Sequence, residues 1–291
     1  MIQRQVETDP KRDGDETRPT RHERGDTPKQ ERREARHRRQ ISAKVVHEAI
    51  RYEGEEELDR PTSALFWSGL AAGLTMGLSL AAQGLLRVAS AGLIWQRIIE
   101  ALGYTLGFVF VVAGRQQLFT ENTLTPVLPV FHDWSRLGDL ARLWLVVLVA
   151  NLLGGAAFAW AAAVTPVFDA TAQAAFLELS RVAVSPSTPV LFIRAIGAGW
   201  LIALMVWLLP AAEHSRLAMI VLPTFLIGLA HLTHSIAGSV EASYLVFAGA
   251  ARWVDYARFV SVSVIGNVIG GVVFGALINH RQAVAGDEKD A

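Results

Sequence analysis

The sequence predicts an all-α integral membrane protein, and two features of the residue pattern carry this prediction. First, the charges are concentrated at the start of the chain, since residues 1–60 hold 15 of the 27 Lys and Arg residues and 15 of the 27 Asp and Glu residues. Second, the rest of the chain contains recurring apolar stretches of about 16 to 25 residues, long enough to cross a hydrocarbon core about 30 Å thick. A soluble helix needs only one apolar face, whereas these stretches are apolar all round.

The chain begins with a charged segment. Residues 1–40 are rich in Arg, Glu, Asp, Thr and Pro and poor in aliphatic residues. This composition cannot bury enough apolar surface to offset the entropy lost on ordering, so we expect a disordered tail. Residues 41–62 have apolar residues at helical spacing, which indicates either an amphipathic helix on the membrane surface or a solvated linker. We assign residues 63–280 to a transmembrane domain and residues 281–291 to a second tail.

Six apolar segments follow the charged region, and we interpret each as one membrane-spanning helix. The second and the fifth are unusual because polar residues interrupt them, at residues 114–123 and 231–235. The predicted segments are residues 63–86, 98–113, 140–164, 190–211, 217–230 continuing to 251, and 259–278.

An internal repeat relates the two halves of this domain. Residues 151–158 read NLLGGAAF and residues 267–274 read NVIGGVVF, an offset of 116 residues. The same offset carries Thr120 to position 236, two residues from His234. Three spans per repeat place the halves in opposite orientations, so the pattern predicts a 3+3 inverted repeat with helices two and five interrupted.

Positive charges near the ends of helices predict which side of the membrane each terminus occupies. The short loops on the two sides carry nearly equal positive charge, so the charges of the first tail determine the predicted orientation. Its arginine cluster at positions 32, 33, 36, 38 and 39 is hard to translocate. We therefore expect a cytoplasmic N-terminus, and six crossings return the C-terminus to the same side.

The two polar breaks are the candidate functional site. Non-helical backbone at membrane depth persists only where protein or a water-filled cavity covers it. We therefore expect Phe119, Thr120 and Asn122 to line an internal path, the alternative being a re-entrant loop with a structural role only. We expect His234 to act in conduction, because an ionisable side chain at this depth is costly to keep there. A structural histidine is the alternative.

Composition excludes several kinds of function. The chain has no cysteine, which excludes disulfides, thiolate catalysis and cysteine-ligated metals. Its net charge of zero argues against nucleic acid as a partner. His231 and His234 are spaced for two metal ligands, but no third ligand lies nearby in the sequence. We predict no metal and no other cofactor.

The motifs at these positions resemble those of a known family. LFTENT at residues 118–123, HSIA at residues 234–237, and the N-x-x-G-G motifs that begin at Asn151 and Asn267 are similar to signatures of the formate/nitrite transporter family. The similarity extends over about residues 63–280, in order and with suitable spacing.

The resemblance implies an aquaporin-like subunit that forms a homopentamer in a bacterial inner membrane, with a pore in each protomer. It implies that a small monovalent anion or its conjugate acid, such as formate, nitrite or hydrosulfide, is carried across the lipid bilayer. Thr120 would lie opposite His234, with Ser235 beside it. Three further residues would lie near apolar constrictions: Tyr104, Phe108 and Ile227.

The chain departs from the family pattern at Thr233, Gly238, Ser187 and Ala203, where groups that attract or orient an anion are usual. These departures leave the carried solute open, and a pore for neutral small solutes is one alternative. Alternatives of other classes are an intramembrane metal-dependent enzyme, using His231, His234 and Glu241, and a membrane scaffold whose tail binds a partner. Because the sequence offers no pairing of nucleophile and base, we predict that the protein is not an enzyme.

Overall fold

The computed structural model describes residues 41–212 and 214–285, and these residues form helices and connecting loops without any β-strand. The tail predicted for residues 1–40 lies outside the described residues, as do residues 286–291. The helices are α1 (Ala43–Asp59), α2 (Thr62–Ala89), α3 (Gln96–Ala113), α4 (Val127–His132), α5 (Leu137–Val164), α6 (Ala170–Val184), α7 (Thr188–Leu208), α8 (Arg216–Leu229), α9 (Ser235–Phe247), α10 (Trp253–Ile269) and α11 (Ile278–Val284). A π-helix, Gly270–Leu277, joins α10 to α11.

Five helical stretches of the described chain are long and apolar enough to cross a membrane. They are residues 62–89, 96–113, 134–164, 188–211 and 253–283. The fifth predicted segment is instead divided into two shorter helices, α8 and α9, which lie on either side of the polar break.

Both predicted interruptions are present, and they begin in the same way. After α3 the backbone of Arg115 turns into the left-handed region at φ 50°, and after α8 the backbone of His231 does so at φ 49°. A non-glycine residue adopts this conformation at a cost of about 1–2 kcal/mol. The two positions are 116 residues apart, which is the repeat offset found in the sequence. The first break then continues through a 3₁₀ turn, Glu121–Thr123, into α4.

One helix, α6, was not predicted from the sequence. The side chain of Asp169 caps its first turn by accepting a hydrogen bond from the Ala172 N–H at 2.8 Å. On its inner face Phe176 and Leu179 are buried. This helix is amphipathic and short, so it lacks the continuous apolar run by which the spanning segments were recognised.

Helix α1 packs on the body of the protein. Ser42 caps its N-terminus, and Val46, Ile50 and Leu58 are buried along one face. This face meets α4 and α11. At Gly54 the approach is so close that a Cβ atom would lie 2.2 Å from the Thr125 carbonyl oxygen.

The glycine stripe of α2 is a packing surface inside the chain. The sequence left open whether Gly69, Gly73 and Gly77 pack within one subunit or between subunits. A Cβ atom at Gly73 would lie 2.1 Å from the carbonyl oxygen of Asn151, and one at Gly77 would overlap the Phe158 ring. Both contacts are to α5, so the stripe allows α2 and α5 to approach closely.

Candidate functional site

The two breaks meet at one hydrogen bond. Thr120, in the first break, and His234, at the start of α9, lie with Oγ1 and Nε2 2.8 Å apart. Thr120 is fully buried and His234 is 1% exposed. The structure therefore brings together the two residues that the family resemblance placed opposite each other.

The surroundings of His234 define which nitrogen carries its proton. The Nδ1 atom accepts a hydrogen bond from the Ala237 backbone N–H at 3.2 Å, as the N-cap of α9. In the neutral ring one nitrogen accepts and the other donates, so the proton is on Nε2. The Nε2–H group therefore donates to the Thr120 hydroxyl oxygen, and the threonine proton is free to donate onward.

The hydrogen bond lies among aromatic side chains. The edge of the Phe108 ring faces the His234 imidazole, with centroids 4.9 Å apart and planes at 84°. Phe119 is also buried, but its ring packs against Trp144 at 6.1 Å between centroids. Phe108 therefore contacts the Thr120–His234 pair directly, and Phe119 contributes mainly through its backbone position.

Two asparagines hold the breaks in place with equivalent hydrogen bonds. Asn151 Oδ1 accepts from the Phe119 N–H at 2.9 Å, while its Nδ2 donates to the carbonyls of Gln117 and Gly69 at 2.9 and 2.8 Å.

In the second half Asn267 does the same. Its Oδ1 accepts from the Ser235 N–H at 2.7 Å, and its Nδ2 donates to the carbonyls of Thr233 and Ala195 at 3.0 and 2.7 Å. Both asparagines are fully buried. Each therefore satisfies backbone groups that the helix interruption leaves without partners.

A cavity of about 40 Å³ lies beside His234, which is one of its lining residues. We call it the Glu241 cavity. Its lining includes Tyr104, Ile227 and His234, three of the residues expected near a pore. Its lining also includes two polar residues, Gln83 and Glu241, and two positions at which the chain departs from the family pattern, Thr233 and Gly238.

A larger cavity of about 440 Å³ lies beside the first break. We call it the Glu121 cavity. Asn122 lines it and donates to Gln117 Oε1 at 2.8 Å, and Gln117 in turn donates to Glu57 of α1 at 2.9 Å. Burial raises the pKa of Glu57 to about 7, although the Gln117 hydrogen bond opposes the shift.

Helix α3 passes both cavities and shows how they are separated. Tyr104 lines the Glu241 cavity and Val112 lines the Glu121 cavity. Eight residues of helix correspond to about 12 Å. Phe108 lies midway between them and is fully buried. The pair Thr120–His234 and the Phe108 ring thus occupy the closed stretch between two open spaces.

Ser235, the remaining residue that the resemblance placed at the site, is the first residue of α9. The Ser235 hydroxyl is buried and has no hydrogen-bond partner in the described chain. Gln83, Gln117 and Glu57 line the cavities but were not singled out from the sequence. A lone glutamine in the apolar run of α2 was the available signal for Gln83. Among the described residues, no group of three or more His, Asp or Glu side chains is arranged to hold a metal ion.

Comparisons with known proteins bear on the family and the fold of the chain. The family model for formate/nitrite transporters matches residues 44–281. The inner membrane protein YfdC of Escherichia coli (strain K12) is 45% identical over 243 residues, covering 82% of this chain and 78% of that protein.

Two solved structures share the fold. An FNT family ion channel superposes with a TM-score of 0.72 at 17% identity, covering 81% of this chain and 98% of the other. A pentameric formate channel with formate bound superposes with a TM-score of 0.61 at 18% identity, covering 73% and 94%. At these identities the likeness concerns the fold alone.

Proposed function

The chain belongs to the formate/nitrite transporter family, and from that premise we propose that it is a channel or transporter for a small monovalent anion or its conjugate acid. The observation that carries the proposal is the Thr120–His234 hydrogen bond, buried between two cavities. A pore needs a barrier that its solute can open, and this bond is the polar part of the closed stretch.

The chemistry of the barrier supports a role for His234 in passage. A bare anion that crosses an apolar stretch loses its hydration at a cost of many kcal/mol, whereas a neutral acid loses far less. The His234 Nε2–H group, now bound to Thr120, is a donor from which a passing solute can accept a hydrogen bond instead. With the threonine proton beside it, the pair offers two donors in the closed stretch between the cavities.

We infer a six-span subunit in a 3+3 inverted repeat, with both termini in the cytoplasm of a bacterium. The matched positions of Arg115 and His231, and of Asn151 and Asn267, support the repeat. In this orientation the Glu241 cavity faces outward and the Glu121 cavity faces the cytoplasm. The superposable pentameric formate channel supports a homopentamer.

A pore for neutral small solutes is the second candidate. Neither Lys nor Arg lines the Glu241 cavity, and the position where the family has a vestibule lysine is occupied by Ser187. An outer cavity without a cation favours an uncharged species. The remaining alternatives, a metal-dependent enzyme or a scaffold, have no comparable support, because the family consists of transporters.

Purified protein in proteoliposomes tests the proposal. Formate, nitrite, hydrosulfide, acetate and glycerol would be offered in turn, with protein-free liposomes as the background control. We expect at least one weak acid to cross and glycerol to be excluded. Passage of glycerol without any weak acid would favour the neutral-solute pore and contradict the leading proposal.

A further inference from the structure

Glu241 is an ionisable residue that shares an enclosed space with His234. It lies seven residues further along, and residues i and i+7 share a helix face. About 10 Å of helix rise separates them. Helix α9 packs against α2, α5, α6 and α10, which leaves Glu241 only 9% exposed. Its remaining exposure is to the Glu241 cavity.

No cation neutralises Glu241 in the described part of the chain. Arg252 pairs with Asp255, and Arg258 donates to backbone carbonyls at the end of α6 and in the following loop. No charged side chain of α2, α5, α6 or α10 lines the cavity. An unpaired carboxylate is costly to bury, so this setting favours the neutral carboxylic acid. The other titratable groups in the lining are Tyr104, His231 and His234.

A second polar group in this cavity lacks a hydrogen-bond partner among the described residues. Gln83 lines this cavity and is 5% exposed, and its Oε1 atom is buried and accepts no hydrogen bond from the described residues. An acceptor without a donor suits a ligand that brings an O–H group, such as a neutral acid or water. Since a water needs about 10–15 Å³ of such volume, the cavity of about 40 Å³ has room for a solute of a few heavy atoms.

Cations are nevertheless present just outside. Arg97 donates to the carbonyl of Leu229 at 2.8 Å, one residue after the lining residue Gly228, and the backbone carbonyl of Arg194 accepts from the N–H of Thr233, which lines the cavity. Neither arginine forms an ion pair in the described chain, whereas Arg87 pairs with Glu100. Unpaired positive charge at the mouth of a cavity raises the local concentration of anions. The arginines beside the cavity therefore attract an anion, whereas the interior of the cavity, which no Lys or Arg lines, favours an uncharged solute.

We propose that Glu241 is the proton donor of this pore, an inference that rests on the proposed function. An anion drawn by Arg97 and Arg194 takes the carboxyl proton: the O–H bond of Glu241 breaks, and an O–H bond forms on the solute. The products are a Glu241 carboxylate and a neutral acid, which goes on to the Thr120–His234 barrier. A proton from external water restores Glu241, so each anion that crosses consumes one external proton.

The flux of a weak acid in proteoliposomes tests this proposal. In Glu241→Gln the side chain keeps its shape but has no acidic proton. We expect flux near pH 7 to fall about tenfold or more, since a positioned acid contributes about 10²–10⁴-fold. Near pH 5 we expect a much smaller loss, because more of the solute already carries its own proton. Glu241→Asp should restore part of the flux, and Glu48→Gln on α1, the matched control, should behave as wild type.

An infrared readout is independent of transport. Near pH 7 the wild-type spectrum minus that of Glu241→Gln should contain a carboxylic acid C=O band, whereas the wild-type spectrum minus that of Glu48→Gln should not. The contribution of Glu57, whose pKa is about 7, cancels in both differences. If Glu241→Gln fails to assemble, a shifted band in Glu241→Asp carries the same test. Absence of any such band, or an equal loss of flux at both pH values, would overturn this proposal alone. A wild-type protein with the band but without weak-acid flux would overturn the proposed function and this inference with it.

Discussion

His234 has both ring nitrogens engaged in the resting structure, one by the α9 backbone and one by Thr120. The backbone bond holds the ring in place while the Thr120 bond can be exchanged. A passing solute therefore competes with Thr120 for a single Nε2–H group, and no rotation of the histidine is needed.

Substitutions of His234 and Thr120 test whether a passing solute competes with Thr120 for the Nε2–H group. We expect His234→Phe to preserve the fold and reduce flux about two- to tenfold, because the solute loses one hydrogen bond, which contributes about 0.5–1.5 kcal/mol between neutral groups. His234→Asn should still conduct with a weaker pH dependence, since its amide is a donor that does not titrate. Thr120→Val should have a milder effect. Wild-type flux and pH profile in His234→Phe would exclude this role.

At the residue scale, a polar side chain that interrupts an apolar run marked Thr120 and His234, which the structure brings into contact, and their role in conduction stays a prediction. Contacts that depend on packing do not follow from the sequence in this way. Sequence proximity suggests Arg252 or Arg258 as the partner of Glu241, but both arginines are engaged elsewhere.

The departure at Gly238 likewise has a cause that only the fold reveals. A Cβ atom there would lie 2.4 Å from the Phe259 ring of α10. Phe259 thus fills the space that a larger side chain at position 238 would need, and the sequence alone does not place these two residues together.

At the scale of elements, the interrupted helices depend on Asn151 and Asn267. We expect Asn151→Leu to lower the free energy of unfolding by about 2–6 kcal/mol, because the Phe119 N–H and the Gln117 carbonyl are left buried without partners. Asn267→Leu should cost a similar amount. Thermal unfolding of the purified protein measures both. Asn279→Ala, which removes a bond to the carbonyl of Gly275 four residues earlier, is the control, and equal effects in all three variants would contradict this assignment.

Helix α1 should respond to pH through Glu57. Its folded pKa of about 7 exceeds the unfolded value of about 4.5, so the folded protein binds the proton more tightly. Stability is therefore greatest at low pH, and this contribution is lost as pH rises from about 4.5 to about 7. We expect Glu57→Gln to remove this loss of stability, which is measured as the unfolding temperature against pH. Glu56 is the exposed neighbouring residue, and the control Glu56→Gln should retain the loss. An unchanged pH profile in Glu57→Gln would contradict the shift.

The elements themselves were predicted to different degrees. Long apolar runs identified α2, α3, α5, α7 and α10, because a membrane-spanning helix needs apolar residues on every face. Helix α6 was missed, since it buries Phe176 and Leu179 on one face only. Its capping residue Asp169 was the remaining signal.

At the scale of the whole molecule, the six-span orientation can be tested directly because the chain has no cysteine. Ile94→Cys lies in the loop between α2 and α3, and Ser135→Cys lies just before α5, both exposed. We expect a membrane-impermeant maleimide to label Ile94→Cys on intact cells and Ser135→Cys only after permeabilisation. The reverse pattern would mean that the chain is inserted the other way round.

The asparagine contacts also bear on how the chain is made. The partners of Asn151 lie between residues 69 and 119, and those of Asn267 between residues 195 and 235. Synthesis proceeds from the N-terminus, so each asparagine leaves the ribosome after all its partners have been made. The Thr120–His234 bond instead joins residues 114 positions apart. A nascent chain can therefore complete its first break before the second exists, and the barrier closes only when both halves are in the membrane.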